Sequence, residues 1–310
     1  MLIINVLVPV FGLVLIGTVA YRMNILGRNS NRVLSNFVYF IALPSTLFLS
    51  GARTPIARYM DSWPFLAAYL IATAIIFLIV YLKKNDDKKA KIINAMSAAS
   101  PNTAFMGIPV ILAIFGPRGM LEVIMSTLIL TVVVVVGVIL LDSDHHGAKG
   151  MELRKILAIL YKNPLVVSIL LGIFFSLTNL KLPKCIDDLF SYISATTGTL
   201  SLIAIGMTLT FTIPKNILKL IWIDGMKLIA MPLITLLFLK IFNATEFMLA
   251  TGLVLSSMPV AVTSYIVAQR YNTQVRESSD IVISSTVFSI ITLTIIMTVI
   301  TAFFPGTIAN

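Results

Sequence analysis

The sequence predicts an all-α polytopic membrane protein with ten transmembrane helices in two inverted five-helix repeats. Three observations lead to this prediction: an apolar composition, a regular spacing of long apolar segments, and two interruptions at matching positions in the two halves. Hydrophobic residues make up 58% of the 310 residues and charged residues 12%, whereas a soluble domain carries about 25% charged residues. The composition therefore excludes an ordinary soluble domain.

Ten apolar segments follow one another along the chain, and most reach the roughly 20 residues that cross a hydrocarbon core. The segments cover residues 2–22, 31–51, 63–82, 91–115, 119–141, 164–180, 185–211, 216–242, 246–270 and 276–304. The first has neither a basic region before it nor a small-residue cleavage site after it, so we expect a membrane span and not a signal peptide.

The second five segments repeat the spacing of the first five, each beginning about 155 residues after its counterpart, as internal repeats of transporters do. Because five is an odd number of spans, the second half must enter the membrane from the opposite side. We therefore predict a first repeat at 1–141, a cytoplasmic loop at 142–163 and a second, inverted repeat at 164–310.

The net charge of +10 fits a nucleic acid or a membrane as partner, and its distribution favours the membrane. With the N-terminus outside the cell, 16 of the 23 lysines and arginines lie on the cytoplasmic side and six outside, which is the bias typical of cytoplasmic loops. This predicts a multi-pass protein of the cell membrane with both termini extracellular, the lipid bilayer as partner and no nucleic-acid partner.

Cysteine usage limits the chemistry of the chain. Cys185 is the single cysteine, so a cysteine-based metal cage and an intrachain disulfide are excluded. We expect no metal, no other cofactor and no catalytic residues, and hence no enzyme.

A proline interrupts the fourth and the ninth apolar segment near the middle of the membrane. Pro101 lies about ten residues, ~15 Å, from the start of its segment at Lys91, and Pro259 lies about as far from Arg270 at the end of the other. Proline removes a main-chain donor, and unpaired polar main chain persists in lipid only beside protein or water. Either proline alone is compatible with a simple kink; the matched pair favours two broken helices that cross, where transporters bind their substrates.

The residues around the first break are those of a helix start. Ser100 can cap the helix, Pro101 fits its first position, and Asn102 adds a polar side chain. A helix start carries a partial positive charge of about +0.5, which suits a carboxylate. Met258 and Pro259 lack a cap, so we expect hydrogen bonding mainly from the first repeat. The candidate substrate-binding residues are Ser100, Pro101, Asn102, Thr103, Met258, Pro259 and Lys227.

Lys227 lies inside the eighth predicted span, about two turns or ~12 Å beyond Lys219. Asp224 lies three residues before it, a spacing that brings side chains together on a helix. One interpretation is a neutralised pair with Lys227 reaching the cytoplasmic surface; the other is a counter-charge for an anion or for a domain contact. The 13 acidic residues fall in loops or near segment ends, which argues against a sodium or proton carrier.

At these residues the chain resembles the auxin efflux carrier family over essentially its whole length. The fourth segment contains Pro101-Asn102-Thr103-Ala104-Phe105-Met106-Gly107-Ile108-Pro109, similar to a family signature that plant PIN-type auxin exporters share in part. Supporting similarities are Ala42-Leu43-Pro44, Lys227 with Met231-Pro232, Met258-Pro259, and Ala268-Gln269-Arg270-Tyr271-Asn272.

The resemblance implies a fold similar to bile acid:sodium symporters, with helices four and nine crossing at their prolines. It implies a scaffold of helices one, two, six and seven that often forms a homodimer, and a moving domain made of the other helices. Substrates in the family are organic anions, namely auxin in plants and malonate or malate in bacterial members. The chain lacks the long central loop of the plant type and has Val260 after the ninth-helix proline, which favours a small carboxylate.

The function that follows is a secondary transporter that moves a small organic anion, such as a mono- or dicarboxylate, by alternating access. The first alternative is a sodium-coupled organic anion symporter of the bile-acid type, which metal-dependent uptake would distinguish. The second is a sensor or assembly protein that has kept the fold without transport.

Overall fold

The computed structural model describes residues 2–27, 29–83, 86–146, 153–178, 180, 182–209, 214 and 216–308. All regular structure in this part of the chain is helical, apart from one isolated β-bridge. The all-α prediction is thereby confirmed. Met1, Asn310 and residues 147–152, on which part of the predicted topology depends, lie outside the described residues.

The first half of the chain forms six helices that we number in chain order. A short helix, Ile56–Asp61, precedes the third of them. The bounds are α1 Leu2–Arg22, α2 Ser30–Arg53, α3 Trp63–Leu82, α4 Lys88–Ala99, α5 Ile108–Phe115 and α6 Met120–His146.

The second half forms seven further helices in a similar order. The bounds are α7 Leu153–Lys162, α8 Pro164–Thr178, α9 Lys184–Thr208, α10 Ile217–Ile241, α11 Glu246–Ser256, α12 Val262–Arg270 and α13 Val275–Phe303. The predicted loop at 142–163 is therefore helical at both ends, because α6 continues to His146 and the amphipathic segment of α7 folds as a helix. The cytoplasmic location of this stretch stays a prediction.

Six stretches of the described chain are long and apolar enough to cross a membrane, namely Ser30–Arg53, Trp63–Leu82, Thr103–Asp142, Lys184–Thr208, Ile217–Ile241 and Val275–Phe303. A seventh results if Ile156–Lys162 and Pro164–Thr178, bent by 77°, form one broken span. Val6–Arg22 and Glu246–Ser256 are shorter apolar helices. The protein is therefore a multi-pass membrane protein, while the ten-helix inverted repeat stays a prediction.

The chain reverses inside the long stretch that ends at Asp142. Gly116 ends α5 with φ +65° and ψ −162°, a conformation that favours glycine, and a 3₁₀ turn over Gly116–Gly119 leads into α6. The hydroxyls of Thr103 and Thr127 lie 3.4 Å apart, whereas a continuous helix would separate residues so spaced by ~36 Å. The stretch therefore contains two passes that run back along each other.

Three π-helical turns mark prolines inside the helices. They cover Val38–Ala42, Thr103–Gly107 and Met226–Ala230, and each ends two residues before a proline. A proline clashes with the carbonyl four residues earlier and donates no hydrogen bond. A π turn supplies one extra residue in the preceding turn, which accommodates the clash without ending the helix.

The helices pack as two groups. In the first group, α1 packs along α9, and α2 packs along α8 and α9. Glycines allow these close approaches: a Cβ on Gly206 would lie 1.9 Å from the Val14 carbonyl oxygen, and Thr18 donates a hydrogen bond of 2.9 Å to the carbonyl of Gly206. Small residues and hydroxyls are what holds helices together in lipid.

The second group contains α3, α4, α6, α10, α11 and α13, which pack against one another. The helices α5 and α12 join it and face α9 or the space beside it. The broken segments thus lie at the boundary between the two groups, and this boundary contains the cavities described next.

Candidate substrate site at the two broken helices

The two predicted interruptions are present and lie against each other. Residues 100–102 separate α4 from the helical turn that begins at Thr103, and residues 257–261 separate α11 from α12. Pro101 and Val260 form an antiparallel bridge. The Asn102 N–H donates to the Pro259 carbonyl and the Ala261 N–H donates to the Ser100 carbonyl, each at 2.8 Å. The extended residues of the two breaks thereby satisfy each other's main-chain hydrogen-bonding groups, which lipid cannot do.

The first break differs from the predicted helix start. Ser100 and Pro101 are extended and not helical, and the helix begins only at Thr103. Ser100 caps nothing, and its buried hydroxyl has no hydrogen-bond partner among the described residues. The physical reason is the pairing with the second break, which uses the Ser100 carbonyl and the Asn102 N–H and holds Ser100 and Pro101 extended.

A cavity of about 300 Å³ lies beside the bridge, between the two helix groups. Its walls come from α2, α9 and the starts of the helices that follow both breaks. The lining residues are Ser35, Asn36, Tyr39, Phe40, Asn102, Ala104, Phe105, Leu130, Leu165, Ala204, Ile205, Thr208, Ala261, Val262, Thr263 and Ile266. All of these lining residues are uncharged.

Two helix starts meet at this cavity. The N–H groups of Ala104 and Phe105 follow the first break, those of Val262 and Thr263 follow the second, and among the described residues none of the four has a main-chain acceptor outside its helix. The first N–H groups of a helix have no intrahelical partner, and both starts carry partial positive charge. Two helix starts beside an uncharged lining favour an anion.

Asn102 is the one predicted binding residue that lines the cavity. Its side chain is buried to 4% exposure, and within the described chain no group hydrogen-bonds its amide. The cavity wall also contains the Thr263 hydroxyl, which is buried and has no described partner. The second break therefore contributes more polar groups than the sequence predicts.

The other predicted residues of the breaks lie behind the cavity wall. Pro101 bridges to Val260, and the Pro259 carbonyl accepts from the Asn102 N–H. Met258 is fully buried, and Thr103 faces Thr127 on α6. These residues shape the crossing but do not line the cavity.

Sequence reasoning missed the wall that α2 provides. Ser35, Asn36 and Tyr39 line the cavity, and the Tyr39 hydroxyl lies 3.4 Å from the Asn163 side-chain oxygen. A signal was present, because polar residues spaced three and four apart share one face of a helix.

A second cavity of about 420 Å³ lies on the opposite side of the breaks. The same helices line both cavities at different heights: Leu49 and Arg53 of α2, Ser194 of α9 and Pro109 of α5 belong to the second. On α5 and the turn before it, Phe105 faces the first cavity and Pro109 the second. Along this segment the two cavities are thus about one helical turn, ~5 Å, apart.

Hydroxyl groups hold the partition on the side of the first helix group. The Thr46 hydroxyl lies 2.9 Å from that of Ser194 and 2.7 Å from that of Thr197. Thr197 is fully buried. These hydrogen bonds fix α2 to α9 at the level that separates the two cavities.

Lys227 neither reaches the surface nor pairs with Asp224, so the first interpretation of this lysine is wrong. The side chain is fully buried, and its Nζ donates to the Ser256 carbonyl at 2.5 Å and lies 3.3 Å from the Met231 sulfur. Ser256 is the last residue of α11, directly before the second break. A cation at a helix C-terminus satisfies its free carbonyl and its dipole. Lys227 therefore stabilises the broken helix from within the second helix group and does not line the cavity.

The acidic residues also differ from the prediction. Asp224 and Glu122 are almost fully buried, at 4% and 1% exposure. Asp224 lies well inside α10 because the helix starts at Ile217. A span boundary placed by hydropathy alone could not show that the neighbouring helices cover this carboxylate.

Broken helices that pair inside an apolar helical protein, with a cavity on each side of the pairing, are typical of a multi-pass membrane transporter. The chain belongs to the membrane transport protein family, whose sequence model matches residues 2–297. This confirms the family resemblance seen at 101–109.

Relatives of similar length agree with this assignment. An "Uncharacterized transporter" of Methanothermobacter thermautotrophicus is 26% identical over 91% of this chain and 93% of its own. The "Uncharacterized transporter YfdV" of Escherichia coli K12 is 24% identical over 87% of this chain and 88% of its own. A "Putative malonate transporter" of Rhizobium meliloti is 21% identical over 94% of this chain and 93% of its own.

Proposed function

We propose that the protein is a secondary transporter that moves a small organic anion, such as a mono- or dicarboxylate, across the cell membrane by alternating access. The observation that carries the proposal is the uncharged cavity of about 300 Å³ that two helix starts and Asn102 line together. Free N–H groups and a partial positive charge stabilise a carboxylate without a fixed cation.

The size and lining of the cavity favour a small substrate. Ligand pockets extend upwards from about 300 Å³, so this cavity is at the small end of the range. One relative is named as a malonate transporter, and a short dicarboxylate could place one carboxylate at each helix start. The apolar side chains of Phe105, Ile205 and Ile266 would contact its carbon chain.

Two cavities separated by a thin partition support alternating access. The first helix group would stay fixed while the second, with α5 and α12, moves the crossing from one cavity to the other. With both termini extracellular, as the charge distribution predicts, the first cavity, which Asn102 lines and which we call the Asn102 cavity, opens toward the cytoplasm. The predicted inverted repeat supports the same proposal, because it would supply two related conformations of opposite direction.

The scaffold helices offer a surface for lipid or for a second copy. Apolar side chains such as Leu15 and Leu170 are more than half exposed on α1 and α8. The homodimer through helices one, two, six and seven, which are α1, α2, α8 and α9, stays a prediction.

The sodium-coupled symporter remains the alternative function. Within the described chain no three His, Cys, Asp or Glu side chains form a group that could hold a metal ion. The Asn102 cavity offers two side-chain amides, those of Asn36 and Asn102, two α2 hydroxyls and two threonines, Thr208 and Thr263, with no carboxylate. This lining supports an anion site more than a sodium site.

The test is a thermal-shift screen of the purified protein against mono- and dicarboxylates, followed by uptake into liposomes of each anion that stabilises it. Asn102→Ala should weaken binding of that anion by roughly 10- to 150-fold, because a hydrogen bond to a charged group contributes about 1.5–3 kcal/mol. Asn29→Ala, the same change directly before α2 and outside the cavity, is the control, because the Asn29 side chain caps no helix N–H. Normal binding by a folded Asn102→Ala protein would place the site elsewhere, and uptake that depends on sodium would favour the symporter.

A further inference from the structure

The buried carboxylate of Asp224 has no function in the site described above. Asp224 lies on α10 at 4% exposure, and neither of its oxygens has a hydrogen-bond partner of good geometry among the described residues. The polar group that faces it is the Ser284 hydroxyl on α13. An ionised carboxylate without a partner is among the most costly arrangements inside a membrane protein.

The charged groups around Asp224 are engaged elsewhere or lie at helix ends. On α10, Lys219 lies 3.4 Å from the Asp86 carboxylate and 3.1 Å from the Gln274 side chain, and Lys227 bonds to Ser256. Lys83, beside α10, lies over the Trp222 ring at 4.3 Å. The packed helices α4 and α13 carry their charges in the first turns: Lys88, Lys89, Lys91, Arg276, Glu277 and Asp280. Of these, Lys88, Lys89, Arg276 and Asp280 have interactions of their own.

The geometry points to Asp224 as a proton-binding site that controls the partner of Lys227. With a proton on one carboxylate oxygen, Asp224 is a neutral acid that can donate to Ser284, and Lys227 stays on the Ser256 carbonyl. When that proton leaves as H⁺, the carboxylate becomes an anion three residues from Lys227 on the same helix, a spacing at which opposite charges pair. Lys227 then turns from Ser256 to Asp224, and α11 loses its cap next to the break.

Polar groups extend from the surface at the start of α10 toward the segment that contains Asp224. Asn94 on α4 donates to the Asp86 carboxylate at 2.8 Å, while its own side-chain oxygen is buried without a described partner. Asp86 in turn contacts the partly exposed Lys219. Polar groups therefore continue from the surface to the α4 helix that packs against the Asp224 segment. Under the predicted topology this surface is cytoplasmic.

The switch would couple a proton to the anion, and this coupling rests on the proposed transport function. Lys227 binds the Ser256 carbonyl directly before the second break. The helix that follows this break begins with Val262 and Thr263, which line the cavity. Protonation of Asp224 thus changes the crossing that binds the anion. Proton binding itself does not depend on the substrate and can be tested without it.

The first experiment measures the proton directly. Infrared spectra of the reconstituted full-length protein, titrated from acidic to alkaline buffer, should contain a protonated-carboxyl band that Asp224→Asn removes. Glu122→Gln and Asp280→Asn, which change the other two acids that are buried in the described part of the chain, should leave that component in place. A wild-type spectrum without it, or an unchanged band in folded Asp224→Asn, would overturn the proposal.

The second experiment measures coupling in liposomes with the anion that the thermal-shift screen identifies. Asp224→Asn should abolish accumulation driven by an imposed pH gradient while exchange of internal for external anion continues. Accumulation that still follows the pH gradient in this variant would contradict the coupling. If no anion is transported, the proposed function fails, and the infrared measurement still decides whether Asp224 binds the proton.

Discussion

Replacing Lys227 by methionine tests whether its bond to Ser256 stabilises the end of α11, directly before the second break. Methionine keeps the length and apolar stem of the side chain but leaves the buried Ser256 carbonyl without a donor, where Lys227 now donates at 2.5 Å. A hydrogen bond to a charged group contributes about 1.5–3 kcal/mol, which at 1.36 kcal/mol per tenfold corresponds to roughly 10- to 150-fold.

The loss should appear in transport more than in overall stability. Removing the ammonium also removes the cost of burying it, which offsets part of the lost bond. We therefore expect Lys227→Met to unfold at nearly the wild-type temperature while anion exchange in liposomes falls roughly 10- to 150-fold. Lys227→Gln keeps a shorter donor and should give an intermediate rate.

Lys219→Met is the matched control, because Lys219 lies on the same helix and contacts Asp86 near the surface. It should transport at close to the wild-type rate. Exchange by Lys227→Met within a few-fold of the wild type would refute the reasoning and reduce Lys227 to a packing residue.

Three further predictions follow from individual contacts and from the charge distribution. Gly206→Ala should lower the unfolding temperature, because its Cβ would lie 1.9 Å from the Val14 carbonyl oxygen, whereas Gly225→Ala, where nothing lies within 4 Å, should not; equal unfolding temperatures would contradict the close packing of α1 and α9. Ser285→Ala should reduce stability by about 1–3 kcal/mol, since the buried Val260 N–H loses its acceptor at 3.0 Å, while Ser289→Ala removes only a bond within its own helix and should change little in the same unfolding assay. In a Cys185→Ser background, cysteines near both termini should react with a membrane-impermeant reagent from outside and cysteines in 142–163 only from inside; labelling of 142–163 from outside alone would reverse the topology.

Much of the architecture follows from local sequence rules. Pro101 and Pro259 predict the two breaks because proline removes a main-chain donor whatever the surroundings are. The apolar segments predict the helices because each must bury its main chain within itself in lipid. The family signature at 101–109 is local as well, and the match of the family's sequence model to residues 2–297 confirms the family.

The remaining features depend on contacts between distant parts of the chain. Ser100 does not cap a helix because its carbonyl accepts from Ala261, far along the chain. Lys227 prefers the end of α11 to its sequence neighbour Asp224 because the helix terminus offers a fixed, desolvated carbonyl. The wall from Tyr39 and Asn36 exists only because α2 packs beside the two breaks. Residue spacing along the chain cannot predict these long-range contacts.

The central claim is that the Asn102 cavity lies on the transport pathway and opposite the cavity near Arg53. The most direct test uses two single-cysteine variants in the Cys185→Ser background, Thr263→Cys in the first cavity and Ser194→Cys in the second, with an impermeant thiol reagent applied from either side of the membrane. We predict that Thr263→Cys reacts from the cytoplasmic side and Ser194→Cys from outside, and that the transported anion protects Thr263→Cys. Reaction of both cysteines from the same side, or labelling of Thr263→Cys that a saturating anion does not slow, would contradict the account.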